Sequence, residues 1–175
     1  MDIASTENMM DTHALITLYN YYYWATGRVF EATHRAGEMA FTTSHPELYY
    51  GSLQGTLTHI LSAEWIWRKR CQEGTSPSVL LDPLDFPTID DLARRMAEEQ
   101  SNMLAFLDSL NDADLVSPVN YQSTNGQPYQ NTLWHLLVHV VNHGTQHRSE
   151  AALVLTGLNQ SPGNLDMLIY FRQSS

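Results

Sequence analysis

Four histidines recur at steps of four in the run HLLVHVVNHGTQH: His135, His139, His143 and His147. On an α-helix each step of four turns the facing direction by about 40°, so neighbours share a face while the ends diverge. Any adjacent pair is therefore an H-x-x-x-H chelate, a half-site for a divalent metal. The axis rises about 18 Å from His135 to His147, so all four cannot meet one ion. A single such pair arises readily by chance, but three overlapping pairs, the first of them inside the apolar run 133–141, carry more weight. Imidazoles buried without partners leave polar nitrogens unsatisfied, and an ion would satisfy them and fix their tautomers. At least one of His135 and His139 is expected to bond a backbone carbonyl in the core or beside the site instead. The H-E-x-x-H protease motif is absent, with Asn142 preceding His143, so a metalloprotease is not indicated.

Two ligands from one helix are too few, and a third must come from elsewhere. His59, in THILSAEWIW among Leu57, Ile60 and Leu61, is the candidate. His13, His34 and His45 fall near helix ends or in a loop and read as solvated.

The elements that must position these residues are helical almost throughout. Leu15, Leu18, Tyr22, Ala25, Val29 and Ala32 recur at threes and fours and predict a first helix from about Asp11 to Ala36, stopped by Gly37. Glu38 to Tyr50 reads as a connection. Ser52 caps a second helix to about Glu73, ended by Gly74, with Leu53, Leu57, Ile60, Leu61, Glu64 and Trp67 around its inner face. After a proline-rich turn, Thr88 and Asp91 form a capping arrangement that opens a third helix through Leu110. Residues 111–130 read as non-helical, with VSPVNYQ and Asn125-Gly126 suggesting a short β-hairpin or an ordered loop. A fourth helix is expected from about Asn131 to Thr156, followed by a tail that packs back through Leu165, Leu168, Ile169 and Phe171. The expectation is an all-α four-helix bundle of one domain over residues 1–175, with a long loop or short hairpin between helices three and four.

Composition narrows the function classes. With 9 Lys and Arg against 19 Asp and Glu, the 175-residue chain carries a formal charge of −10. Such a chain offers no basic stripe for nucleic acid or for anionic membranes. The N-terminal stretch lacks the pattern of a signal peptide, and no run is apolar enough to span a bilayer. A single cysteine, Cys71, excludes an internal disulfide framework and a cysteine-based zinc site, and fits a reducing cytoplasm. Charged residues make up 16% of the chain, below the roughly 25% usual for soluble domains, which points to a surface covered in a homodimer.

The runs LYNYYYWA, LTHILSAEWIW and HVVNHGTQHRSE together resemble the DinB family of bacterial proteins, the DinB/YfiT-like metalloenzymes. The resemblance spans nearly the whole chain. It implies a four-helix bundle and a divalent ion, zinc or nickel, held by one histidine of the second helix and an H-x-x-x-H pair late in the fourth. Carried over, the ligands are His59, His143 and His147, and His139 borders the pocket. Related branches are thiol-dependent transferases and isomerases. The DinB branch is associated with DNA-damage induction, which concerns expression and not contact with DNA. Many members carry Arg-Gly-Gln after the last histidine, where this chain has Arg148-Ser149-Glu150.

On this reading the chain is a metal-dependent enzyme, a hydrolase or an S-transferase using a low-molecular-weight thiol, acting on an unidentified small molecule. The alternative is a non-catalytic metal-binding protein of the stress response. Glu64 and Glu150 are candidates for a general base or for orienting a ligand imidazole. Arg148 is a candidate clamp for a substrate carboxylate, or one half of a structural salt bridge. Tyr19, Tyr21, Tyr22, Tyr23 and Trp24 put aromatics on every face of the first helix, for core, pocket or dimer seam.

Overall fold

The computed structural model describes residues 10–173. Most of the N-terminal stretch read as lacking a leader, and the last two residues of the single-domain span, lie outside the described residues. Helix α1 covers Thr12–Ala36; the Asp11 carboxylate accepts from the Ala14 N–H, and Gly37, at φ +85°, ends it. Helix α2 is one short turn, Glu38–Thr42. Helix α3 covers Leu53–Glu73, capped by the Ser52 hydroxyl and closed by Gly74 in the left-handed region. A 3₁₀ turn at Pro83–Asp85 leads to α4, Ile89–Asp108, where the Thr88 hydroxyl accepts from Asp91 N–H and donates to the Asp91 carboxylate. Helix α5 is Asp112–Leu115, and strands β1 (Pro118–Gln122) and β2 (Pro128–Thr132) form an antiparallel hairpin with Tyr121 opposite Tyr129. Helix α6 covers Leu133–Gly157 and α7 covers Met167–Gln173.

Two expectations need correction. The connection after Gly37 begins with a helical turn, in which Phe41 is fully buried. The segment from residue 111, read as non-helical, opens with α5, because Asn111 and Asp114 cap each other reciprocally. The hairpin lies where it was expected, but β2 takes Asn131 and Thr132, so α6 starts two residues later than read.

The architecture is mainly helical with one small sheet. Helix α1 packs on α4 and α6, and α3 packs on the same two helices from the other side. Leu15, Tyr19, Tyr22, Leu57, Leu61, Met103, Leu137 and Leu155 are buried between them. Each such side chain contributes about 1.5–3 kcal/mol through removal from water. Gly144 lets α6 approach α1, since a methyl group there would fall inside the Tyr22 ring. A buried ion pair joins α3 to α4, with the Arg68 guanidinium on Glu99 at 2.5 Å and Arg95 completing the carboxylate at 3.1 Å. The tail returns to α1 as read, mainly through Tyr170 beside Tyr21 and Trp24 and through the Leu165 carbonyl, which accepts from Tyr21; Leu168 and Phe171 remain exposed. No described helix is long and apolar enough to cross a membrane.

Candidate metal centre

Helices α3 and α6 run antiparallel. His59 faces His143 and His147, while Trp67, two turns further along α3, meets His139, one turn earlier on α6. Two helices thus bring three imidazoles to one point. The Nε2 atoms of His59 and His143 lie 3.0 Å apart, and one ring nitrogen from each of His59, His143 and His147 falls within 4.8 Å of the others. Zinc binds imidazole nitrogen at about 2.0–2.1 Å, so two ligands of one ion stand within about 4.2 Å of each other. The three rings need only small rotations to meet that condition, and the donor set could hold a metal ion.

The electrostatics favour the neutral, ligating form. Burial, helped by His143 and His147, holds the His59 pKa down at about 3, and burial, helped by His147 and His139, holds that of His143 at about 4. Both rings are therefore uncharged at neutral pH, so an ion would not have to displace a second proton from either. His147 Nδ1 is 2.8 Å from a Glu150 carboxylate oxygen one turn on. A carboxylate accepts, so Nδ1 carries the hydrogen and Nε2 is left with its lone pair facing the other rings.

Tyr50, in the connection before α3, was not singled out from the sequence. Its hydroxyl lies 2.8 Å from His59 Nε2, and its ring stacks on His59 with centroids 3.9 Å apart. Gly55 makes this approach possible, because any Cβ there would strike the Tyr50 carbonyl. His59 Nδ1 is buried without a partner.

The remaining candidates are placed differently. Glu64 is fully buried one and a half turns beyond His59, and its oxygens accept from Tyr22 at 3.0 Å and Tyr23 at 2.5 Å. Burial pushes its pKa up to about 7, against the pull of the two phenols. It ties α1 to α3, its hydrogen bonds going to the two tyrosines rather than to the three histidines. Arg148 is 2% exposed and turned from the histidines into the α1–α6 contact. Its guanidinium lies over the Tyr22 ring and donates to the hydroxyls of Thr26 and Thr145. It forms no ion pair with a carboxylate among the described residues; its partners are the Tyr22 ring and two hydroxyls. His135 packs on Trp134, and His139 on Trp67 and His143; both are exposed rather than bonded in the core. The ladder's rotation has carried them off the triad's face. His13 and His34 are exposed as expected, whereas His45 is half-buried, with its Nε2 lacking a partner. Burial drives the Cys71 thiol up to about 12, which removes it as a nucleophile.

A crevice of about 700 Å³ lies along the hairpin between Ser76, Asn120 and Gln130 and borders none of these histidines. A smaller groove of about 260 Å³ runs beside His139 between α3 and α6.

Comparison with known proteins places the chain in a family. The DinB family model matches residues 9–174. The chain belongs to the DinB family. Protein DinB of Bacillus subtilis (strain 168) is 24% identical over 164 residues, covering 87% of this chain and 91% of the relative. The family match spans all four long helices, including both elements of this DinB-family chain that carry the histidine triad.

Proposed function

We propose that this DinB-family protein holds a divalent ion, zinc or nickel, through His59, His143 and His147, and that the centre serves a metal-dependent reaction. The observation that carries the reading is the convergence of three imidazoles from α3 and α6 with His147 oriented by Glu150. When bound, such an ion is a Lewis acid that ionises a coordinated water or thiol near neutral pH.

Three protein ligands leave a position open to a small molecule, as in catalytic sites. Glu150 fixes the His147 tautomer and raises the basicity of the ligating nitrogen. The Tyr50 hydroxyl, 2.8 Å from His59 Nε2, would stand beside an ion held there as a hydrogen-bonding group. Burial keeps that phenol protonated, its pKa raised above the ordinary value. With Cys71 inert, sulfur chemistry would require an added low-molecular-weight thiol, and we favour an S-transferase over a hydrolase. The four long helices fit the family's four-helix bundle. The single cysteine fits a cytoplasmic protein, and exposed Val79, Leu80 and Leu84 fit a homodimer seam.

Metal analysis of the purified protein, followed by titration with nickel and zinc, tests the reading. Wild type should bind one equivalent, and His59→Ala or His143→Ala should each weaken binding at least 100-fold. A wild-type protein that takes up neither ion would end it. With the ion loaded, turnover of monochlorobimane in the presence of a thiol separates the transferase from a non-catalytic metal-binding stress protein.

A further inference from the structure

We infer that His135 and His139 form a second divalent-ion site, weaker than the triad and separate from it, on the groove between α3 and α6. Its ligand is a borderline transition ion such as nickel, copper or zinc. The site stands on the outer half of the histidine ladder and does not depend on the metal-centre reading.

Both residues lie on α6 four positions apart, where Cβ atoms stand about 5–6 Å from each other and two imidazoles can close on one ion. Both also wall the same groove of about 260 Å³, with Trp67, Tyr121, Asn131 and Leu136 around them. The rotation that takes the pair off the triad's face thus turns it onto this groove. His135 is exposed and packs on Trp134, with ring centroids 4.1 Å apart; His139 is exposed and meets Trp67 at 5.4 Å and His143 at 5.7 Å. Neither imidazole is committed to a hydrogen bond among the described residues.

The inner half of the ladder is engaged elsewhere. His143 Nε2 lies 3.0 Å from that of His59, and His147 is held by Glu150. From His135 to His143 the axis rises about 12 Å, so no single ion can serve both halves. Asn131 adds an oxygen to the outer half. Its Oδ1 accepts from the Tyr121 hydroxyl at 2.9 Å and keeps a second lone pair. No carboxylate lines the groove. Two imidazoles and an amide oxygen suit nickel, copper or zinc, whereas magnesium and calcium take oxygen ligands and gain little here. Two protein nitrogens hold an ion less firmly than the three of the triad, and water supplies the remaining positions. The formal charge of −10 draws cations to such an exposed pair.

Nickel alone serves as the probe, titrated into the metal-free full chain in excess magnesium. Calorimetry counts the ions, and tryptophan fluorescence reports the outer pair through Trp134 and Trp67. Beyond the one equivalent expected at the triad, wild type should take a second that is roughly 10-fold weaker or more. His135→Ala and His139→Ala should each abolish the weak step, and His135→Ala should leave the tight step and the melting temperature unchanged. His143→Ala should remove the tight step and keep the weak one. Uptake of one equivalent by wild type, lost in His143→Ala, would overturn the second site and leave the triad standing. So would a weak step that persists in both His135→Ala and His139→Ala, which would mark an adventitious ion elsewhere on the surface. A single equivalent lost in His135→Ala but kept in His143→Ala would sink the triad and leave this site standing.

Discussion

Replacing Glu64 by glutamine removes a titration while keeping a group that can hydrogen-bond Tyr22 and Tyr23. In the unfolded chain the carboxyl ionises near 4.5, and in the folded protein only near 7. Between these values the native state holds a proton that the unfolded state has released, so stability falls as pH rises. The penalty is absent below the unfolded pKa and complete above the folded one. Its full size is about 3 kcal/mol at 1.36 kcal/mol per unit, of which about 2.5 kcal/mol develops between pH 5 and 8. The group is fully buried, so no discount for solvent screening applies. His59 and His143 act in the opposite sense, because folding depresses their pKa values and their contribution is lost as pH falls. They are present in both proteins and cancel in the difference. Urea denaturation of metal-free wild type and Glu64→Gln at pH 5, 6, 7 and 8 isolates the carboxyl. Relative to wild type, the variant's midpoint should climb by roughly 1 M across that range, for a slope near 2–3 kcal/mol per molar. A flat difference would refute the buried, proton-holding carboxyl. A 10-fold loss of nickel affinity in Glu64→Gln would return Glu64 to the metal centre and refute its structural assignment.

Glu150→Gln should weaken metal binding about 10- to 100-fold without lowering the melting temperature, because the amide no longer enforces the His147 tautomer; unchanged nickel affinity by calorimetry would dismiss that role. Gly144→Ala should destabilise the protein by about 1–3 kcal/mol, since the new methyl group displaces the Tyr22 ring and crowds Arg148. A variant melting within a degree of wild type would mean that α1 and α6 separate at little cost.

The features most legible in sequence were those with a fixed helical period. The four-residue spacing announced the ladder, and capping residues such as Ser52, Thr88 and Gly74 marked helix ends that the structure reproduces. The ladder's rotation of about 40° per step also explains why His135 stands about 120° from His147 and leaves the cluster. Tyr50 was illegible because its position depends on how a connection folds over Gly55, which no periodicity reports. The surroundings of Glu64 were illegible for a similar reason. A carboxylate on the inner face of a helix suggests chemistry until Tyr22 and Tyr23, some forty residues earlier, are seen to take both oxygens. The short helix α5 could have been found, since Asn111 and Asp114 stand at capping-box spacing.

His59 and His143 are separated by 84 positions along the chain. A tie between two such distant points restricts the denatured polymer far more than it restricts the native one. For a covalent link enclosing that span, the loop-entropy relation gives about 4.6 kcal/mol. Coordination across the pair would thus work as a removable staple in a protein whose lone cysteine can form no internal disulfide. An ion held there would also ration the lifetime of the fold according to the supply of that ion.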